Sequence, residues 1–483
     1  MAASVATRRF LTTIDEAAQK IHFTVLLPRM VLNRYYVAEG VRLYSQATWA
    51  QIGGGNGKAL VEEYISGIVD YYIESADAAN HAVREAACAC IAELGLKVDK
   101  EVVRPHFARL LDTLIACFND DSWPVRDASC VASGRFIKSF PEESRPRLDE
   151  FYKLFFFHCA DNIWSVRENA AIALGCMVEA YGDDALAVVK PWLVENLPKA
   201  KLQEKGGDSS TRNTGTENVT QFGVAPAKGE DVVAASDTGA VAAPATPIMA
   251  GPVVTVGAIP YATTGGMAIA DTIEGGVRRV TYKFGQNDPM HENKQVFSCG
   301  SLAPKLKRKG GCMDCDFTKE QEPWEATDGC VYLMRELAGI SPETVIEQLP
   351  LLAEVAREHD FADHVHLLET IWNQLTVVAD KIGKKKFKSH LQQFIPSLHY
   401  TLQSENNLAR VAGEMFTSHV AKLIGPTIFK SRVEQEDPRW CETFNRIIDA
   451  PPIGGMGMMP GAVPGGMVGA AGGMGMHPGT MRP

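Results

Sequence analysis

The sequence predicts an all-α protein: a solenoid of stacked helix pairs with a long disordered insertion and a disordered Gly/Met-rich C-terminal tail. Three observations predict it. A Val-Arg pair opens an apolar run at 83, 125 and 166, in steps of 42 and 41 residues. A proline recurs at 105, 146 and 191. These spacings lie in the roughly 40–47-residue range of paired-helix repeats. Two further stretches, 203–323 and 451–483, abandon the pattern for compositions that do not build a core.

The repeat is clearest in Asp121-Ser122-Trp123-Pro124-Val125-Arg126. It returns as Asp161-Asn162-Ile163-Trp164-Ser165-Val166-Arg167, and more faintly before Val83-Arg84. Val125, Ser129, Ala132, Phe136 and Ile137 follow the spacing of one helix face. The fourth residue after each valine is small: Ala87, Ser129 and Ala170. Small residues let the facing helix approach closely. Asp77, Asp121 and Asp161 precede the three helices, where a carboxylate caps free amides and suits the dipole. Arg84, Arg126 and Arg167 hold one equivalent position. Stacking brings each near its neighbour's acid, a ladder whose exposed rungs contribute about 0–1 kcal/mol each. Apolar stacking supplies most of the stability, because one helix pair cannot bury its own face. The recurring prolines are expected to begin the first helix of each pair, where the missing amide costs nothing.

In chain order, residues 1–58 read as an N-terminal helical cap of one or two helices, carried by Ile14, Ala17, Ile21 and Leu26. Gly53-Gly54-Gly55-Asn56-Gly57-Lys58 reads as a turn. Ile52 stands where a phosphate loop needs its first glycine, and Ala59 where it needs a hydroxyl. Residues 59–202 hold the first half of the repeats. Residues 203–323 form the insertion, with a short strand pair within Val253–Ala258 and Val277–Tyr282. Residues 324–450 hold the second half, where Pro350 and Pro396 are again one repeat apart. The tail follows at 451–483.

The helix at 188–202 is a first helix with no second helix after it. The helix at 324–339 is a second helix with no first helix before it. Their pairing makes one solenoid running through the insertion. Two helical domains on a tether is the other arrangement the sequence allows.

The Asp…Val-Arg…Ala run, with proline in the preceding helix, resembles the HEAT/armadillo type of helical repeat. The resemblance covers about 59–200 well and 324–430 more loosely. It implies an α-solenoid that binds other proteins; phosphatase scaffolds, nuclear import receptors and tubulin-binding arrays share the architecture. The deoxyhypusine hydroxylases show that this fold can be catalytic, through repeated His-Glu pairs that hold iron. This chain has one such pair, His291-Glu292, outside the repeats.

A net charge of −10 argues against a general nucleic-acid grip. No apolar run approaches the roughly 20 residues of a membrane span. The start, with Arg8 and Arg9 and no acid before Asp15, is a weak form of targeting signal. Eleven cysteines in a long chain suit a reducing compartment. A cytoplasmic location follows, with cytoskeleton or cilium as the narrower form.

Few residues suggest chemistry. Cys299, Cys312, Cys315 and Cys330 contain one close pair where a strong zinc site has two. His359, His364 and His366 straddle a turn and read as solvated. Lys384–Lys388 is a basic run between helices, suited to an acidic partner such as tubulin. Trp123 and Trp164 stand three residues before Arg126 and Arg167. They either pack under their own turns or form a protein-binding ridge, since tryptophan and arginine are frequent interface anchors. Trp123, Arg126, Trp164, Arg167 and Lys385 are therefore the candidate binding residues. No catalytic residue, cofactor or metal is assigned. The leading expectation is a non-catalytic scaffold or adaptor whose partners are other proteins, tubulin or a multi-subunit assembly among them. A microtubule-associated or ciliary structural protein is the second reading. A zinc-dependent regulator or enzyme using the 299–330 cysteine loop is the third.

Overall fold

Three leading helices, rather than one or two, open the chain: α1 (Ala2–Thr13), α2 (Glu16–Asn33) and α3 (Glu39–Gly53). Asp15 starts α2 by accepting a hydrogen bond from the Ala18 amide. Gly54 and Gly55, at φ of 49° and 90°, turn the chain after α3 as the glycine run predicts. The computed structural model describes residues 2–205, 268–274, 277–282 and 321–450.

Helix pairs follow: α4 (Gly57–Glu63) and α5 (Ile65–Ser75) before α6 (His81–Lys97), then α7 (Lys100–Val103) and α8 (Phe107–Cys117) before α9 (Trp123–Ser139). The next pair is α10 (Pro141–Ser144) and α11 (Leu148–His158) before α12 (Trp164–Tyr181), and α13 (Asp183–Asn196) comes after it. The prolines do not begin these helices. Pro105 and Pro146 sit in short 3-10 turns, Arg104–His106 and Arg145–Arg147, inside the first helix of each pair. Pro191 lies within α13. A proline cannot donate the i→i−4 bond, so the helix tightens or bends there.

The second helices pack one upon the next, α6 on α9 and α9 on α12. Val125, Val166, Ala87, Ser129 and Ala170 are fully buried, and Ser129 Oγ donates to the Leu114 carbonyl of α8 at 2.8 Å. Contact is close enough that a Cβ on Gly134 would lie 2.6 Å from the Ala173 Cα.

Within the insertion, β2 (Val277–Tyr282) is the strand expected there. Its antiparallel partner is β1 (Ala268–Glu274), with Glu274 opposite Val277. Val253–Ala258, the expected partner, lies outside the described residues.

Helices resume as α14 (Pro323–Ile340), α15 (Pro342–Val355), α16 (His364–Ile382), α17 (Lys384–Leu402), α18 (Asn407–Ile424), α19 (Pro426–Glu436) and α20 (Cys441–Ile448). Helix α14 takes the place of the second helix missing after α13. It packs against α12, α13 and the 3-10 turn Leu197–Leu202. The Ala200 amide donates to Thr327 Oγ1 at 2.8 Å, and Gln203 Nε2 to Glu322 Oε2 at 3.0 Å. The chain thus leaves the stack after 205 and rejoins it at 321 beside its own exit. Gly329 permits the closest approach: a Cβ there would sit 1.8 Å from the Cys159 carbonyl oxygen. Across the outside, Lys190 pairs with Glu347 at 2.7 Å and Lys201 with Glu354 at 2.8 Å.

Candidate functional site

The equivalent arginines make one repeated arrangement. Arg84 donates from Nε to Asp120 Oδ2 at 2.6 Å and from Nη2 to Oδ1 at 2.7 Å. Its Nη1 donates to the Ala78 carbonyl at 2.8 Å, within its own turn. Arg126 repeats this with Asp161 at 3.1 Å and the Asp120 carbonyl at 3.1 Å. Arg167 repeats it with Asp328 at 2.7 Å and the Asp161 carbonyl at 2.7 Å. Each guanidinium therefore closes its own turn and grips the next repeat. The receiving carboxylates also hold their own turns: Asp120 accepts from the Ser122 amide and Asp161 from the Ile163 amide, each at 2.9 Å.

Two expectations about the ladder are corrected. Arg84 meets Asp120, not Asp121, because Asp120 is the residue whose side chain turns back into the loop. The rungs are also buried rather than exposed: Arg167 and Asp328 are both 0 % accessible. Buried pairs of this kind set register more than they add stability, and breaking one is costly. Burial works to raise the Asp161 carboxyl, but Arg126 and His158 outweigh it and hold it well below the usual carboxylate range. The Arg167 guanidinium also lies 5.3 Å from the centre of the Trp324 ring, a cation–π contact across the joint.

The predicted binding ridge is accordingly corrected. Arg126, Arg167 and Trp164 are buried, so a partner cannot reach them while the repeats are stacked. Trp123 is partly buried and packs against the core, with its Nε1 shielded from solvent. Lys385 alone of the five is exposed. It lies in the first turn of α17 rather than between helices, since Gly383, at φ 84°, ends α16 and α17 begins at once. Its neighbour Lys386 is paired with Glu343. No ion pair involves Lys384 or Lys385 among the described residues.

The other clusters are structural. Cys330 lies in the core, its Sγ 3.9 Å from the Leu193 carbonyl oxygen, and burial pushes its thiol well up. That placement removes it from a loop zinc site; Cys299, Cys312 and Cys315 lie outside the described residues. Among the described residues no three His, Cys, Asp or Glu side chains gather to hold a metal. The 359–366 turn is packed, not simply solvated. The His359 ring stacks on Tyr400 with centroids 3.6 Å apart. His364 Nδ1 lies 2.6 Å from the Phe361 carbonyl oxygen, which makes Nδ1 the donor and leaves Nε2 to accept from the Tyr400 hydroxyl at 2.9 Å. Burial lowers the pKa of both imidazoles.

One row escaped the sequence reading. The residue after each arginine is acidic: Glu85, Asp127 and Glu168. Asp127 is buried, and burial pushes its carboxyl up to about 7 against hydrogen bonds from Asn169 and Ser165. Burial and the nearby Asp127 push Glu85 up to about 8, with Arg42 opposing. Glu168 ends the row on Arg335 of α14. The signal was the same 42-residue spacing, applied one position further along. No helix among the described residues is long and apolar enough to cross a membrane.

Residues 81–132 match the family model described as HEAT-like repeat. No curated protein matches the sequence. Among solved structures, yeast importin-beta (Kap95p) is similar at 13 % identity and a TM-score of 0.33, over 89 % of this chain and 43 % of that one. A Kap95:Nup1 complex is similar at 13 % identity and a TM-score of 0.34, over 93 % and 46 %. Kap121p bound to Ste12p is similar at 11 % identity and a TM-score of 0.28, over 92 % and 41 %. The chain spans less than half the length of each of these three. The stacked helix pairs described here are helical repeats of the HEAT type.

Proposed function

We propose that the chain is a non-catalytic, cytoplasmic scaffold that binds other proteins along its solenoid. The observation that carries this reading is the unbroken ladder. Arg167 finds its acid in Asp328, so the stack passes the insertion without losing a rung. Repeats held in register in this way present one long surface whose parts keep fixed spacing. Cross-linking in cells followed by mass spectrometry tests it. Partner cross-links are expected on solenoid lysines on both sides of the insertion. Cross-links confined to one side contradict the reading.

A second reading narrows the partner to an acidic surface. Lys384 and Lys385 are exposed in the first turn of α17, where the positive end of the helix dipole adds to their charge. Tubulin is such a surface. Pelleting with microtubules that is lost in Lys384→Glu/Lys385→Glu selects it; pelleting that never occurs removes it.

A further inference from the structure

The outward faces of the first helices are covered with charges that staple neighbouring repeats. Arg109 pairs with Asp70 at 2.8 Å, Arg147 with Asp112, and Lys386 with Glu343. Helix α13 keeps two such staples, Lys190 to Glu347 at 2.7 Å and Asp184 to Arg145 at 3.7 Å, but carries apolar residues between them. Four residues before the repeated proline stand Glu101, Glu142 and then Ala187. Three residues after it stand Ala108, Asp149 and then Val194. Ala187, Pro191 and Val194 recur at helical spacing and share one face. They line a shallow depression of ≈ 620 Å³ between Asp183 and Glu195. Val188 and Val194 are 41 % and 42 % exposed beside it.

The two bordering carboxylates are unlike the stapled charges around them. No hydrogen bond or ion pair involves either side chain among the described residues. Asp183 lies in the first turn of α13 and Glu195 in its last, about 18 Å apart along the axis. Glu195 is disfavoured there, since the helix dipole favours cations at that end. Lys190 also lines the depression, but its charge is met by Glu347; what remains, an apolar stripe with an unpaired acid at each end, is complementary to one kind of ligand. We infer that the outer face of α13 is a docking site for an amphipathic helix that carries an apolar stripe and a Lys or Arg near each end. The ligand's apolar side chains lie over Ala187, Pro191 and Val194, and its cations reach Asp183 and Glu195. This specifies one partner class for the scaffold and rests on that reading.

The experiment uses the full chain and two synthetic probes. Each is a helical peptide of about 15 residues, long enough at 1.5 Å per residue to span both carboxylates. One has leucines on one face and a lysine at each end; the other has glutamates in place of the lysines. Binding is read by fluorescence anisotropy, and its location by hydrogen exchange over 183–196. The lysine peptide is expected to bind about tenfold more tightly, the combined size of two exposed ion pairs. Asp183→Lys/Glu195→Lys is expected to reverse the preference. Ala187→Glu/Val194→Glu is expected to abolish binding of the lysine peptide while leaving the helical signal unchanged. Equal affinity for the two peptides, or protection elsewhere than α13, overturns the site. Sedimentation showing that the chain self-associates through α13, lost in Ala187→Glu/Val194→Glu, also overturns it, by making a second copy the occupant. Unchanged cellular cross-links in that variant sink the site while leaving the scaffold reading standing.

Discussion

Replacing Arg167 tests the joint that holds the two halves of the solenoid together. The guanidinium and its partner Asp328 are both fully buried, and Asp328 Oδ1 has no hydrogen-bond partner of its own. Arg167→Met therefore leaves a buried carboxylate without its cation, a change that costs about 3–5 kcal/mol. It also strips the Asp161 carbonyl of the Arg167 hydrogen bond. An orphaned buried acceptor adds about 1–3 kcal/mol. A domain stability of about 5–15 kcal/mol makes this a large fraction of the total. Asp328→Leu alone takes from the buried guanidinium the carboxylate it binds most closely, again about 3–5 kcal/mol. In Arg167→Met/Asp328→Leu neither member of the pair is left without the other, and the expected cost falls to that of the carbonyl, about 1–3 kcal/mol, plus that of the buried Glu325, which also faces Arg167 and loses it in both Arg167 variants. The assay is urea unfolding followed by circular dichroism on the four proteins of the cycle. On these figures the two single costs exceed that of the double by about 6–10 kcal/mol, a coupling well beyond the roughly 0.5 kcal/mol seen for independent sites. Additive costs would refute the reasoning, as would a cost below about 1 kcal/mol for either single change, the size of an exposed pair.

Two further outcomes follow from the packing. Gly329→Ala places a methyl 1.8 Å from the Cys159 carbonyl, a backbone atom that cannot swing away. A destabilisation of about 3 kcal/mol or more is expected, at or above the usual range for overpacking; thermal unfolding within 1 °C of the unchanged chain would contradict the close approach. Asp127, raised to about 7 in the fold, favours the folded state when protonated. That contribution is fully present below the unfolded carboxylate pKa of about 4 and is lost as pH rises through about 7. Asp127→Asn is therefore expected to flatten the fall in stability between pH 5 and pH 8, by up to a few kcal/mol. Parallel stability–pH curves for the two proteins would mean that Asp127 is not held neutral.

Much of this arrangement was legible in the residues. Val125, Val166 and the small Ala87, Ser129 and Ala170 are buried because a 42-residue beat with helical spacing leaves them no other face to share. The arginine ladder was legible as a contact but not as a buried one. Whether a guanidinium is covered depends on how nearly the backbones meet, and Gly134 against Ala173 is a tertiary fact. The third rung was out of reach. Asp328 lies inside α14 instead of in a preceding turn, and 161 residues separate it from Arg167. The prolines misled because they sit a turn inside their helices, where the backbone absorbs them as 3-10 turns. The ridge failed for a related reason: tryptophan beside arginine is as good a pair for closing a turn as for meeting a partner.

The central claim is that one stack runs through the base of the insertion. Cutting the chain with protease inside 206–320 and following the two pieces tests it most directly. The account predicts that they stay together through gel filtration and unfold in a single transition, since Arg167, Gly329 and Thr327 bind one piece to the other. Pieces that separate without denaturant and melt independently would contradict it.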